Sequence, residues 1–220
     1  MSSIGIKELA KQLGISTASV SRALNKPERV SVEMRDRVRK AAEEIGYRTN
    51  MIGSSLRTAK TKSIMAIIPD LCDTFNSGVI SSMESTAAEA GYSVLFGDSK
   101  GLRQRELGYG SLVQRKQADG VIYFSPLPPF DESFLKSDIG YLPPMVNSCE
   151  VIDPQGYEVR GQRIPYVTID NVLAAQEVVT HLIELGHKRI AVITGGETTP
   201  SAVQRLKGCL LYTSPSPRDA

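Results

Sequence analysis

The stretch IKELAKQLGISTASVSRALN, residues 6–25, decides how the first part of this chain folds. Ile6, Leu9, Ala10 and Leu13 recur at i, i+3, i+4 and i+7, the spacing of one helical face, and Val20, Ala23 and Leu24 give a second, shorter face. Gly14 stands between them, where a tight turn needs a positive φ, and Ser16 stands where the second helix needs a cap. Ala10 is small where two helices must cross closely, and Val20 is placed to plug the second helix onto the first. The outward face of that second helix then carries Thr17, Ala18, Ser21, Arg22 and Asn25. Short polar side chains with one arginine suit a helix lying in the major groove of DNA, because arginine donates bidentately to guanine O6 and N7 while serine and threonine reach base edges or phosphates. The plainer reading is an αα-hairpin on whose surface Arg22 is merely solvated.

Outward from this stretch, Met34, Val38, Ala41 and Ile45 predict a third helix, opened by Ser31 and closed by Gly46, while Gly5 stands at the N-cap position of the first. Residues 1–62 hold thirteen basic against six acidic residues; residues 63–220 hold thirteen basic against eighteen acidic. A small basic piece joined to an acidic body is expected of a nucleic-acid-binding domain attached to a domain with another task. The whole chain, with 41% hydrophobic and 23% charged residues, has an ordinary globular composition. It contains no run of 18 apolar residues and its N-terminus lacks the apolar core of a signal peptide, so a cytoplasmic, nucleoid-associated protein without membrane contact is expected. Three dispersed cysteines and two histidines fit neither a disulfide framework nor a metal site, and no cofactor is expected.

From Ser63 the period changes. Short apolar runs, SIMAIIP, YSVLFG, GVIYFS and PPMVNS, alternate with helical stretches near residues 77–91 and 103–116, which predicts βαβ units and a parallel sheet. IPYVTID reads as a further strand, residues 171–186 as a helix, and RIAVIT, residues 189–194, as another strand. The polar segment 153–163 reads as a loop. Between the halves, residues 49–62 are polar, basic and weakly helical, and read as a linker.

These strings together resemble the LacI/GalR family of transcriptional regulators over residues 4–208. The resemblance is carried by IKELAKQLGISTASVSRALN, VSVEMRDRVRKAAEEIGYRTN, SLRT, SIMAIIPDLCDTFNSGVI, ADGVIYF, TIDN, HLIELGHKRIAVITG and RLKG, in the family's order and spacing. It implies an all-α helix-turn-helix headpiece over residues 1–48, a hinge over 49–62, and an α/β core like a periplasmic sugar-binding protein. The core's first subdomain would span residues 63–170, and its second would open over 171–208. It also implies a homodimer on double-stranded operator DNA, acting as a repressor of carbohydrate-related genes under a small-molecule effector, a sugar or related compound. In such proteins the segment matching residues 50–57 folds on the operator, Leu56 matching a leucine that wedges into the minor groove and Arg57 lying beside it. Two departures weaken that hinge: Thr49 stands where the family has proline, and Gly53 costs about 1 kcal/mol relative to alanine inside a helix.

In open parallel sheets, ligands bind outside the carboxyl ends of the strands. Those ends offer Asp70 and Asp73 with Phe75, then Asp98, then Ser125. Carboxylates hydrogen-bond sugar hydroxyls, and by resemblance Phe75 matches an aromatic that stacks on the effector and Arg205 an arginine that holds it; Asp70 and Asp98 complete the expected effector set. Each acid taken alone reads more readily as a solvated loop residue or a helix cap than as a ligand-binding group. Acids at strand ends could also hold Mg²⁺ for phosphoryl transfer, but the chain has no GxxxxGK[ST] loop and no GxSxG elbow, and His181 and His187 fall in a helix and at its end. No catalytic residue is therefore expected. The final stretch CLLYTSPSPRD, residues 209–219, resembles a sequencing adapter translated in frame, so residues 209–220 are expected to be a non-native tail on a gene that continues past Gly208, leaving the core's parallel sheet incomplete.

Overall fold

The computed structural model describes residues 5–47, 59–138, 140–151 and 157–211. It divides into two compact units, Met1–Ala59 and Lys60–Ala220. Thr49, Gly53, Leu56 and Arg57 lie outside the described residues.

The first unit is three helices, α1 (Ile6–Leu13), α2 (Thr17–Asn25) and α3 (Val32–Glu44), with a short 3₁₀ turn at Pro27–Arg29. Ser16 and Ser31 cap α2 and α3 by accepting from the amides of Ser19 and Met34, while Gly5 precedes α1 without a side-chain cap. Gly14 and Gly46 adopt φ of +65° and +67°, the left-handed region that a side chain disfavours. Leu9, Leu13, Val20 and Val38 are buried together with the small Ala10, Ala23, Ala41 and Ala42, which let the three helices approach closely. Arg37 donates from Nη2 to the Leu13 carbonyl at 3.0 Å, satisfying a carbonyl that the end of α1 leaves open.

The second unit is built on β1 (Ser63–Ile68), α4 (Thr74–Glu89), β2 (Ser93–Asp98), α5 (Arg103–Gln114), β3 (Gly120–Tyr123), α6 (Glu132–Lys136), β4 (Met145–Ser148), β5 (Glu158–Val159), β6 (Gln162–Arg163), β7 (Tyr166–Val167), α7 (Asn171–Glu184) and α8 (Pro200–Leu210). Five strands form one parallel sheet in the order β2-β1-β3-β4-β7. Alternation assigns its faces: Met65, Ile67, Val121, Tyr123 and Met145 pack with Val113 of α5, whereas Ala66, Ile68 and Phe124 pack with Val79, Ile80 and Met83 of α4. Asp119 receives the amides of Thr61 and Lys62 and so fixes where the chain enters β1; burial pushes its carboxyl up, but these donors outweigh it and hold the group below its ordinary value.

Three expectations are corrected. RIAVIT is not a strand: residues 187–196 carry neither helix nor strand, and Ile193 is fully exposed. A strand exists only through a ladder partner, and no described strand runs beside it. IPYVTID contributes only Tyr166–Val167 to the sheet, through pairing with Asn147 and Ser148. The 153–163 loop contains the β5–β6 hairpin, whose two turn residues, Arg160 and Gly161, both have positive φ (52° and 72°), the geometry of a type I′ turn.

Two glycines set helix positions by closeness. A Cβ at Gly110 of α5 would lie 1.7 Å from the Pro129 carbonyl oxygen, and one at Gly208 of α8 would lie 2.2 Å from the Val172 carbonyl oxygen of α7. Gly110→Ala must therefore push α5 away from the Pro128–Pro129 segment; we expect the second unit to lose about 1–3 kcal/mol, the usual cost of overpacking, read as a lower urea midpoint at unchanged m. An unchanged midpoint would mean that the segment yields freely.

Candidate nucleic-acid interface and effector cleft

In the first unit, α2 lies on α1 through Val20 and Ala23, and this orientation turns Thr17, Ala18, Arg22 and Asn25 to solvent, with Ser21 half-buried beside them. Asn25 bonds back to Ser21, donating from Nδ2 to the Ser21 carbonyl at 2.9 Å and to Ser21 Oγ at 3.3 Å. The five residues expected to face DNA thus share one helical face, on which Asn25 and Ser21 are tied together by local bonds. The N-terminus of α2 is capped by Ser16, whose Oγ is also 3.0 Å from Ser19 Oγ. Seryl hydroxyls and free helix amides at this end match the donors that phosphate groups accept.

In the second unit, β2 and β3 flank β1, so the chain runs from β1 to β2 toward one edge of the sheet and from β3 to β4 toward the other. Such a switch point opens a crevice outside the carboxyl ends of the strands. A cavity of about 370 Å³ lies there, lined by Pro69 after β1, Gly101, Arg103 and Glu106 after β2, Phe124 to Leu127 after β3, Glu150 after β4 and Thr198 to Pro200 before α8. A roomier cavity of about 720 Å³ lies at the amino ends, lined largely by apolar groups such as Ile64, Leu142, Pro144 and Ile164. The smaller one is the candidate ligand site, because it lies outside the carboxyl ends of the strands and charged and hydroxyl side chains from several loops converge there.

None of the four expected effector residues, Asp70, Phe75, Asp98 and Arg205, lines this cavity; Ser125, noted in the sequence only as the residue at the end of β3, does. Asp70 and Asp98 are nevertheless brought together, by Lys100. Its Nζ lies 2.8 Å from Asp98 Oδ2 and 3.6 Å from Asp70 Oδ1. Asp70 also accepts the Cys72 amide, and Asp73 caps α4 through the Asn76 amide. Phe75, on the first turn of α4, is 62% exposed. Arg205 of α8 donates from Nε to Asn171 Oδ1 at 2.8 Å and is close enough to Cys149 that its charge partly offsets the upward push of burial on that thiol.

Residues not anticipated shape the cavity. Arg103 is engaged on three sides, with Nη1 at 3.1 Å from the buried Glu106 and Nη2 donating to the Pro128 and Phe130 carbonyls at 2.8 Å each. Glu150 accepts from the Ser201 amide at 3.1 Å and from Ser201 Oγ at 2.7 Å. The only sequence sign of the first pair is its i, i+3 spacing on α5; nothing in the sequence signals the second. Among the described residues no cluster of three metal-ligating side chains occurs, and no helix is long and apolar enough to cross a membrane.

The hydrogen bond from Lys100 holds the Asp98 carboxyl below its ordinary value of 3.8, and the same contact raises Lys100. A depressed carboxylate contributes its stability above its unfolded value and loses it as pH falls through its folded one, and a raised lysine loses its share as pH rises through its own folded value, so this pair is intact at neutral pH and opens in acid and in strong alkali. Lys100→Met should return the Asp98 midpoint upward toward 3.8, read by carboxyl-carbon NMR titration. An unmoved midpoint would show that the contact is not populated in solution.

Comparison with known proteins places both units. Residues 5–50 match the family of bacterial regulatory proteins, lacI family, and residues 61–214 match the periplasmic binding proteins and sugar binding domain of the LacI family. The chain is 40% identical over 203 residues to the HTH-type transcriptional repressor CytR of Escherichia coli K12, covering 92% of this chain and 57% of that protein. It is 30% identical over 208 residues to catabolite control protein A of Priestia megaterium, covering 93% and 59%. The chain thus spans somewhat over half the length of the relatives it matches. In structure it is similar to a lac repressor dimer bound to operator and an anti-inducer, with a TM-score of 0.76 at 22% identity over 98% of this chain and 64% of that one, a likeness of fold. A helical headpiece on the basic segment, a parallel α/β unit with its crevice at the switch point, and family matches over nearly the whole length carry one conclusion: this chain belongs to the LacI family of bacterial regulatory proteins.

Proposed function

We propose that this chain acts as a transcriptional repressor that reads double-stranded operator DNA with the outward face of α2 and answers to a small-molecule effector, a sugar or related compound, in the α/β unit. The observation that carries the DNA half is the common exposure of Thr17, Ala18, Arg22 and Asn25 on a helix fixed by its own hydrophobic contacts. A base-reading helix must be rigid before it meets DNA, and this one is held by its core rather than by its ligand. The net positive charge of the first 62 residues supplies the sequence-independent attraction to phosphate. Segment 49–62 serves as the hinge, with Leu56 and Arg57 toward the minor groove, and the working species is a cytoplasmic homodimer on a pseudo-palindrome.

The effector half rests on the cavity at the switch point. Ser125 and Thr198 to Pro200 border it directly, and Asp70, Asp98, Phe75 and Arg205 are the residues that the family resemblance assigns to the effector. Lys100 pairs with both acids and offsets one of their two charges, and the carboxylate oxygens left over are acceptors suited to a ligand rich in hydroxyls. Calorimetric titration with a panel of pentoses and hexoses tests this half, a saturable isotherm being expected and none across the panel removing it.

For the DNA half, Arg22→Ala should lose about 1–3 kcal/mol of discrimination at one base pair, the usual worth of a bidentate contact, in titrations against single-base operator variants at fixed salt. An equal loss on every sequence would assign Arg22 to phosphate. Leu56→Ala should weaken operator binding with the melting temperature nearly unchanged, because a wedge contributes only on kinked DNA. A large fall in melting temperature at intact affinity would place Leu56 in the protein's own packing.

A further inference from the structure

Helix α8 is held to the loop after β4 and to α7 by polar contacts concentrated on one of its faces. Ser201, Gln204, Arg205 and Gly208 recur at i, i+3, i+4 and i+7, so they line one side of the helix. Ser201 gives its amide and its hydroxyl to the Glu150 carboxylate, and Gln204 donates from Nε2 to the Val151 carbonyl at 3.1 Å. Gly208 sits against the Val172 carbonyl, and Arg205 meets the buried Asn171, which also donates to Gln204 Oε1 at 3.2 Å. Thr199, the N-cap residue of α8, makes no side-chain cap bond. The cap is supplied instead by Glu150, 51 residues away in sequence, whose negative charge also suits the positive end of the helix.

Glu150 is itself held in place from the sheet. Asn147, buried in β4, donates from Nδ2 to the Glu150 carbonyl at 3.2 Å and to the Ser125 carbonyl at 3.4 Å. A chain of contacts therefore runs from β4 through Glu150 and Ser201 to a point one helical turn before Arg205. Since α8 has no regular ladder to orient it, the rotation of the helix about its own axis is set by this face, and Arg205 turns with it.

We propose that Glu150 is a positioning residue that fixes the axial rotation of α8 and thereby aims Arg205. This rests on the reading of Arg205 as an effector-holding arginine, but its test needs no ligand. The measurement is proton exchange in the chain as it stands, at the Ser201 amide and at Arg205 Nε–H, compared between the parent protein, E150A, E150Q, S201A and the E150A/S201A pair. In E150A both protons should exchange at least ten-fold faster while amides of β1 and α5 keep their rates. S201A should speed Arg205 Nε–H less, and the pair should add little to E150A, because both changes break one interaction. E150Q, which keeps the shape and an acceptor oxygen but loses the charge, should show the same pattern at smaller amplitude, and it carries the comparison should E150A fold poorly. Fast Ser201 exchange with Arg205 Nε–H unchanged would overturn the proposal, as would uniform acceleration across β1 and α5, the sign of general destabilisation. A protected Arg205 released by E150A, in a protein with no sugar isotherm, would leave the clamp standing and remove only the effector reading.

Discussion

Strand β1 gives up both of its edges and both of its faces to the rest of the unit that contains it. Its edges are taken by β2 and β3, its odd side chains Met65 and Ile67 by the α5 layer, and its even ones Ala66 and Ile68 by the α4 layer. A strand so enclosed can carry almost no polar side chain, which is why SIMAII reads as a continuous apolar run instead of an alternating one. The same enclosure produces the functional geometry. With neighbours on both edges, the connection out of β1 crosses the α4 face and the connection out of β3 the opposite face, and the space between them at the carboxyl ends becomes the cavity. The chemistry of that cavity is then set by loops, which are free to vary because the sheet beneath them is not.

The two units illustrate different ways of holding a recognition surface. In the three-helix unit the reading face of α2 is defined by subtraction: Val20 and Ala23 are consumed by packing, and what remains outward is the set available to DNA. In the α/β unit the polar groups near the cavity are engaged with one another before any ligand arrives. Lys100 serves two acids, Arg103 one acid and two carbonyls, and Glu150 two donors of one serine. A ligand that enters exchanges existing bonds for new ones, so its net gain is the difference between them, and selectivity comes from how well it reproduces what it displaces.

The headpiece was legible almost residue by residue. Helical periodicity, serine caps at 16 and 31, and left-handed glycines at 14 and 46 are all encoded within a few positions of where they act. The four longer strands and helices α4 and α5 were legible for the same reason, through short apolar runs separated by amphipathic stretches, whereas the five-residue α6 is too short to show a period. The type I′ turn at Arg160–Gly161 lacks the asparagine or aspartate that marks most such turns, and was read as loop. Helix α8 and its clamp were not read at all: Ser201 and Glu150 are each ordinary in their local sequence, and only folding makes them partners.

What the sequence by itself determined is therefore whatever depends on near neighbours along the chain: the three helices and their caps, the exposed face of α2, the change of period at Ser63, and the family signature written in those motifs. What tertiary structure alone decided is whatever needs a partner distant in sequence. RIAVIT has the composition of a strand, yet without a strand beside it its backbone has no ladder to join. Asp70 and Asp98 look alike on paper as sugar-binding acids, but the fold places one lysine between them and so engages both before any ligand arrives. Local signals survive in sequence because a helix closes its hydrogen bonds within four residues, whereas a sheet register, an ion pair or a capped helix end is closed by groups whose proximity exists only once the chain has folded.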